Sequence, residues 1–102
     1  MADELSGKQR RHLRALGHHL DPVVQVGHEG VSEAVVRQAE QQLEAHELIK
    51  IRIGEGSPQD RHEAAELLAQ KTGAHVAQVL GRTALLYRRR KEHPQIVLPQ
   101  PQ

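Results

Sequence analysis

The chain has no cysteine, phenylalanine or tryptophan, and its one tyrosine, Tyr87, is its whole aromatic complement. Without cysteine there is neither a disulfide framework nor a thiolate metal site, which suits a reducing compartment. Without aromatic rings the core has to be built from Leu, Ile, Val and Ala. The same lack closes off base stacking on several rings, leaving only Tyr87, so any nucleic-acid contact would rest on backbone amides and cations. No apolar run approaches the roughly 20 residues that span a bilayer. The opening MADELSGKQRRH lacks the basic-then-apolar layout of a secretory signal. These absences lead us to expect a cytoplasmic protein without membrane association.

What is present is an ordinary globular balance, 37% hydrophobic and 26% charged in 102 residues, enough for one domain with one core. The formal net charge of +1 hides an uneven distribution. From Ala74 onward five cations (Arg82, Arg88, Arg89, Arg90, Lys91) face one acid, Glu92. Lys8, Arg10, Arg11 and Arg14 cluster near the start, whereas Glu33, Glu40, Glu44, Glu47, Glu63 and Glu66 occupy the middle. A bipolar surface follows, with a basic face suited to phosphates.

Ser6 to Gln9 has the S-x-x-Q pattern of a capping box, so a helix begins there, with Leu13, Leu16 and Leu20 as its apolar positions and Asp21-Pro22 as its end. Val23, Val24 and Val26 make a short strand, and Gly27-His28-Glu29-Gly30 a turn. Ser32 is the expected cap of a second helix, with Glu33 in its first turn and Val35, Ala39 and Leu43 buried, fraying near His46. Ile49, Ile51 and Ile53 alternate with Lys50 and Arg52, the pattern of a half-buried strand with two cations on its open face. Gly54-Glu55-Gly56 is a loop. Ser57-Pro58 is expected to start a third helix that buries Ala64, Leu67, Leu68 and Thr72 and stops at Gly73. His75–Leu80 and Thr83–Arg88 are strands joined through Gly81-Arg82, and after Glu92 a proline-rich stretch makes a tail or an edge segment. The order α-β-α-β-α-β-β specifies an α/β fold with a mixed sheet, because helical crossovers allow parallel neighbours while the last pair is antiparallel. Periodicity does not give the strand order.

Gly27 to Gly30 stands between a strand and a helix. It serves either as a plain turn or as a clamp in which glycines admit a sugar-phosphate backbone and the helix N-terminus offers free N–H groups. The cations of the first helix have few acids at i+3 or i+4, which favours a phosphate site. Arg88 to Lys91 fit a solubilising strand end and a binding surface equally. Eight histidines raise metal and acid-base readings. His62-Glu63-Ala64-Ala65-Glu66 lacks the second His of HExxH, and His18 and His19, adjacent on a helix, point to different sides. No spacing sets two imidazoles and a cation around one phosphate, so no catalytic residue, metal or cofactor is expected. Gly54-Glu55-Gly56 lacks the rest of any nucleotide-binding motif, and Glu55 would repel phosphate.

Taken together, LSGKQRRHLRALGHHLDPVVQVGHEGVSEAVV, HELIKIRI and TGAHVAQVLGRTALLYRR resemble the YhbY-like CRM domain of bacterial ribosome-associated proteins and plant organelle splicing factors. Several separated motifs agree: Lys8-Gln9-Arg10, the strand-GxxG-helix unit, Glu47-Leu48-Ile49-Lys50, and Gly81-Arg82-Thr83 leading to Leu86-Tyr87-Arg88. The resemblance runs from about Leu5 to Leu98, giving a domain over residues 1–98 and a tail over 99–102. It implies a four-stranded mixed sheet with packed helices, similar to the C-terminal domain of bacterial translation initiation factor three. It further implies binding to ribosomal RNA in large-subunit precursors and a part in their assembly; apart from the resemblance, we expect a monomer with no catalytic activity and no small-molecule substrate. The implied RNA-binding residues are Gly27, His28, Glu29 and Gly30 with Lys8, Arg10, Arg14, Lys50, Arg52 and Arg82. Relatives often carry Lys or a small polar residue inside the loop, so His28 and Glu29 imply weaker or pH-sensitive binding. Gly17 stands where relatives often have Ala, which weakens the first helix. A protein-interaction adaptor using the acidic helical face is the alternative.

Overall fold

The structure, a computed structural model, describes residues 4–101. Residues 1–3 of the expected domain and Gln102 of the expected tail lie outside the described residues. The elements are α1 (Gly7–Gly17), β1 (Pro22–Val26), α2 (Glu33–His46), β2 (Leu48–Ile53), α3 (Arg61–Thr72), β3 (His75–Leu80) and β4 (Thr83–Tyr87), in the expected order. The sheet order is β1-β2-β4-β3, with β1 and β2 parallel and β4 antiparallel to both of its neighbours. The last strand therefore inserts between β2 and β3. Its central place explains the unbroken buried run Ala84 to Tyr87, since a strand covered on both faces need not alternate.

The two sheet faces carry different cores. On one, Val24, Val26, Ile49, Ile51, Ile53, Ala84 and Leu86 pack under Ala39 and Leu43 of α2 and Ala64, Ala65, Leu68 and Ala69 of α3. On the other, Leu48, Ala77, Leu85 and Tyr87 meet Leu13 of α1, with Leu5, Ile96 and Leu98 half-buried beside them. Aliphatic residues fill both layers, as the lack of aromatic rings required.

Several local expectations are corrected. Helix α1 opens with the capping box of Ser6 and Gln9, but it ends at Gly17, four residues before Asp21. Its buried row is Leu13 and Gly17, while Leu16 and Leu20 are 45% and 37% exposed. Gly17 lies so close to the sheet that an added Cβ would stand 2.6 Å from Leu85 Cδ1, so the helix gives up propensity for close approach. The early end also leaves His18 and His19 in the following turn, their rings edge to face at 4.8 Å. Helix α3 starts at Arg61 and not at Ser57-Pro58. Asp60 is its cap, sharing a capping box with Glu63, and the Glu63 N–H holds the Asp60 carboxyl below its ordinary pKa. Ala65 and Ala69 are buried where Leu67 is only half so.

The stretch after Glu92 is not a sheet edge. It folds back over the α1 face, where the Gln9 side-chain amide donates to the Pro99 carbonyl at 3.1 Å. A carboxylate anchors it. Glu47, fully buried at the C-terminal cap of α2 with φ 65°, accepts the backbone N–H groups of Arg90 (2.9 Å), Gln95 (2.7 Å) and Ile96 (2.9 Å). Burial alone would raise its pKa, but the three N–H groups and the Arg90 charge outweigh that and hold the carboxyl below its ordinary value. Burial and the Glu47 charge together push the Tyr87 hydroxyl up.

Candidate nucleic-acid interface

Strand directions bring three loops to one end of the sheet. Parallel β1 and β2 both finish there, and antiparallel β4 begins there, so Gly27–Gly30, the 54–60 segment and Gly81-Arg82 are neighbours. Backbone bonds fasten them together: Gly54 N–H to the Val26 carbonyl at 2.9 Å, and Ile53 N–H to the Arg82 carbonyl at 2.7 Å. Within the first loop, Gly30 N–H donates to the Gly27 carbonyl at 2.9 Å, and Gly30 has φ +71°, a conformation that favours glycine. A Cβ on Gly30 would also collide with Gln59 Oε1 and lie 2.9 Å from Pro58 Cγ. Gly27 is different: nothing lies within 4 Å of a Cβ placed there, so the fold itself has room for a side chain. His28 and Glu29 are exposed at the tip. Helix α2 starts directly behind the loop. Ser32 Oγ accepts from Val35 N–H at 3.3 Å, leaving the first helical amides, Glu33 and Ala34, aimed past the cap without an intrahelical partner.

The expected cations divide into groups. Lys8, Arg10 and Arg14 are exposed and form no ion pair among the described residues. At 3.6 residues per turn, Arg10 and Arg14 form one i, i+4 row on α1. That row lies across the buried Leu13–Gly17 row from Gln9 and Leu16, the side that meets the C-terminal segment. Arg10 lines a hollow that runs along β3 from His75 to Val79, together with Glu4 and with His62 and Glu66 of α3. Lys8 points away from the sheet by the same geometry. Lys50 and Arg52 project to the α1 face, Arg52 exposed beside Gln25 and Thr83 in register, Lys50 half-buried. Lys50 borders an apolar hollow lined by Leu16, Leu20, Val23 and Ile96.

Arg82 reaches the loop end but is paired, its Nη2 lying 3.2 Å from Glu55 Oε2. The open question over the C-terminal cations is resolved residue by residue. Arg88 pairs with Glu40 at 2.9 Å and Glu44 at 3.3 Å and donates to the Thr72 carbonyl at the end of α3. Arg90 donates to the Glu44 and Ala45 carbonyls at the end of α2. Both therefore complement helix C-termini, while Arg89 and Lys91 are exposed. Among the described residues no three His, Asp or Glu side chains gather as a metal-ligand group. No helix among them is long and apolar enough to cross a membrane.

Two structurally decisive residues were not singled out from the sequence. In the sequence Glu47 reads as one of the mid-chain acids and as the start of a strand motif, because nothing local marks a carboxylate whose partners lie more than 40 residues away. Gln59 was passed over inside an assumed helix start, yet its Oε1 accepts Val31 N–H at 3.3 Å.

A mixed four-stranded sheet with helices on both faces, a Gly-x-x-Gly turn at one end and exposed cations on α1 and β2 defines a small domain class. The chain belongs to the CRS1 / YhbY (CRM) domain family, whose model matches residues 5–88. It is 41% identical over 95 residues to the "Probable RNA-binding protein YqeI" of Bacillus subtilis, covering 93% of this chain and 99% of that protein. It is 36% identical to an "RNA-binding protein" of Haemophilus influenzae, covering 93% and 95%. The solution structure of the hypothetical protein SAV1595 from Staphylococcus aureus superposes with a TM-score of 0.80 at 40% identity, covering 93% of this chain and 99% of that one.

Proposed function

We propose that this protein binds RNA at the loop end of its sheet, on ribosomal RNA of large-subunit precursors, as a non-enzymatic cytoplasmic assembly factor acting as a monomer. The observation that carries the reading is the Gly27–Gly30 turn at the end of β1, with exposed Arg52 in register with Gln25 on the neighbouring strand, and the reading adds the exposed Arg10 and Arg14 of α1 as cations over the same sheet. Gly27 leaves room for a sugar-phosphate chain to approach the backbone, and the amides of Glu33 and Ala34 supply donors at the positive end of α2. The cations neutralise flanking phosphates. Family membership and the names of the relatives support RNA as the partner, and the resemblance to ribosome-associated domains supports the ribosomal target.

The test is a salt titration of binding to a transcript of large-subunit ribosomal RNA. Phosphate neutralisation makes log affinity fall linearly with log salt, by about 0.7 to 0.9 per contact. A flat titration would overturn the reading. The exposed apolar side chains of Leu16, Leu20 and Val23 favour the second reading, an adaptor that docks on protein within a ribonucleoprotein particle. For an adaptor, Leu16→Ser would abolish association with large-subunit particles while binding to the naked transcript stayed unchanged.

A further inference from the structure

The segment between β2 and α3 does more than connect them. Ser57 Oγ donates to the Gln59 carbonyl at 2.8 Å and accepts the Gln59 N–H at 3.2 Å, so the Gln59 backbone is clamped by a side chain two residues earlier. Directly after it Asp60 caps α3, whose Ala64, Ala65 and Leu68 are buried in the main core. The Gln59 side chain is thus mounted on a fixed base. Half-buried, it reaches across to accept the Val31 N–H, the amide between the Gly-x-x-Gly turn and the α2 cap. Pro58 and Gln59 also occupy the space that a side chain on Gly30 would need. The turn therefore rests against this segment through the Gln59 hydrogen bond, the contact of Gly30 with Pro58 and Gln59, and His28 close to Gly56, and Ser32 N–H closes back on the Gly30 carbonyl at 2.9 Å.

We infer that Gln59 is a positioning residue for the RNA-binding loop, setting the angle at which Gly27–Gly30 and the first turn of α2 are presented beside Arg52. The inference rests on the function proposed above. Without the Oε1 acceptor, Val31 N–H turns to water, and the turn is free to pivot on its glycines. RNA must then order it on binding, and that ordering cost appears as lost affinity. Gln59 itself need not touch the ligand.

The experiment compares Gln59→Met, which keeps length and bulk but has no acceptor, Gln59→Ala, and Gln59→Glu, which keeps an acceptor oxygen. Each is measured for Val31 amide exchange, urea midpoint, and affinity for the large-subunit ribosomal RNA transcript. Gln59→Met and Gln59→Ala are expected to expose the Val31 amide and to weaken binding about 3- to 10-fold, with little change in midpoint. Gln59→Glu is expected to restore Val31 protection. A Val31 amide still protected in Gln59→Met, or RNA affinity unchanged once it is exposed, overturns the inference. Gly27→Glu, where the fold has room, separates the two levels of the argument. If it leaves affinity intact, the loop assignment fails; if it weakens binding while Gln59→Met does not, only the positioning role fails.

Discussion

Replacing Glu47 by Ala removes the acceptor that holds the C-terminal segment on the domain. If the segment stayed docked, the half-buried N–H groups of Arg90 and Ile96 and that of Gln95 would face the site without an acceptor, at up to about 1 to 3 kcal/mol each, or at most about 3 to 9 kcal/mol together. Release is cheaper. It gives up the packing of half-buried Ile96 and Leu98, about 1 kcal/mol apiece, and uncovers part of Leu48 and Tyr87. The cost should therefore stop near 2 to 4 kcal/mol. The backbone supplies an internal control, because Glu47 sits at φ 65° and Gly there relieves about 1 kcal/mol of strain. Glu47→Gly should thus be the milder variant. Urea unfolding gives the stability difference, and amide exchange at residues 90, 95 and 96 reports release. A loss under about 1 kcal/mol in Glu47→Ala, with those amides still protected, would refute the anchoring argument. The folded pKa of Glu47 is lowered from 4.5, so its stabilisation is complete above that value and is lost as pH falls below it toward the folded pKa. Wild type should lose stability across that acidic window, and Glu47→Gln should lack this component.

Further expectations concern packing and charge. Gly17→Ala gains about 1 kcal/mol of helix propensity but drives a methyl into buried Leu85, so a net loss of about 1 kcal/mol is expected. In a double-mutant cycle with Leu85→Ala, additive losses would show that the two positions do not compete for space. Arg14→Ala and Arg52→Ala should each lower affinity for unrelated RNAs alike and reduce the salt slope by about 1, whereas an unchanged slope would remove that residue from the interface. Glu55→Gln should free Arg82 and steepen the salt slope by up to about 1, and weaker RNA binding in that variant would contradict the view that Glu55 competes with phosphate.

Local chemistry alone determined much of this protein. The capping box at Ser6 and Gln9, Ser32 as the α2 cap, the alternation of Ile49, Ile51 and Ile53 with Lys50 and Arg52, and Gly73 in the left-handed region at the end of α3 all depend on residues a few positions apart. A short stretch of chain carries such information. The family resemblance likewise rested on motifs quoted in order along the chain, and the matching family model supports it. What tertiary structure decided involves distant partners. The insertion of β4 between β2 and β3 depends on pairing energies across the sheet, and it gathers three separate loops at one end. Contact with the sheet decides that Gly17 is buried while Leu16 is left exposed. The fates of Arg82, Arg88 and Arg90 turn on acids and carbonyls far away in sequence, so Arg82 is a paired loop residue while two members of the Arg88–Lys91 run serve helix ends. Glu47 and Gln59 are the extreme cases, since a hydrogen bond between segments 28 or more residues apart leaves no periodic trace in the sequence.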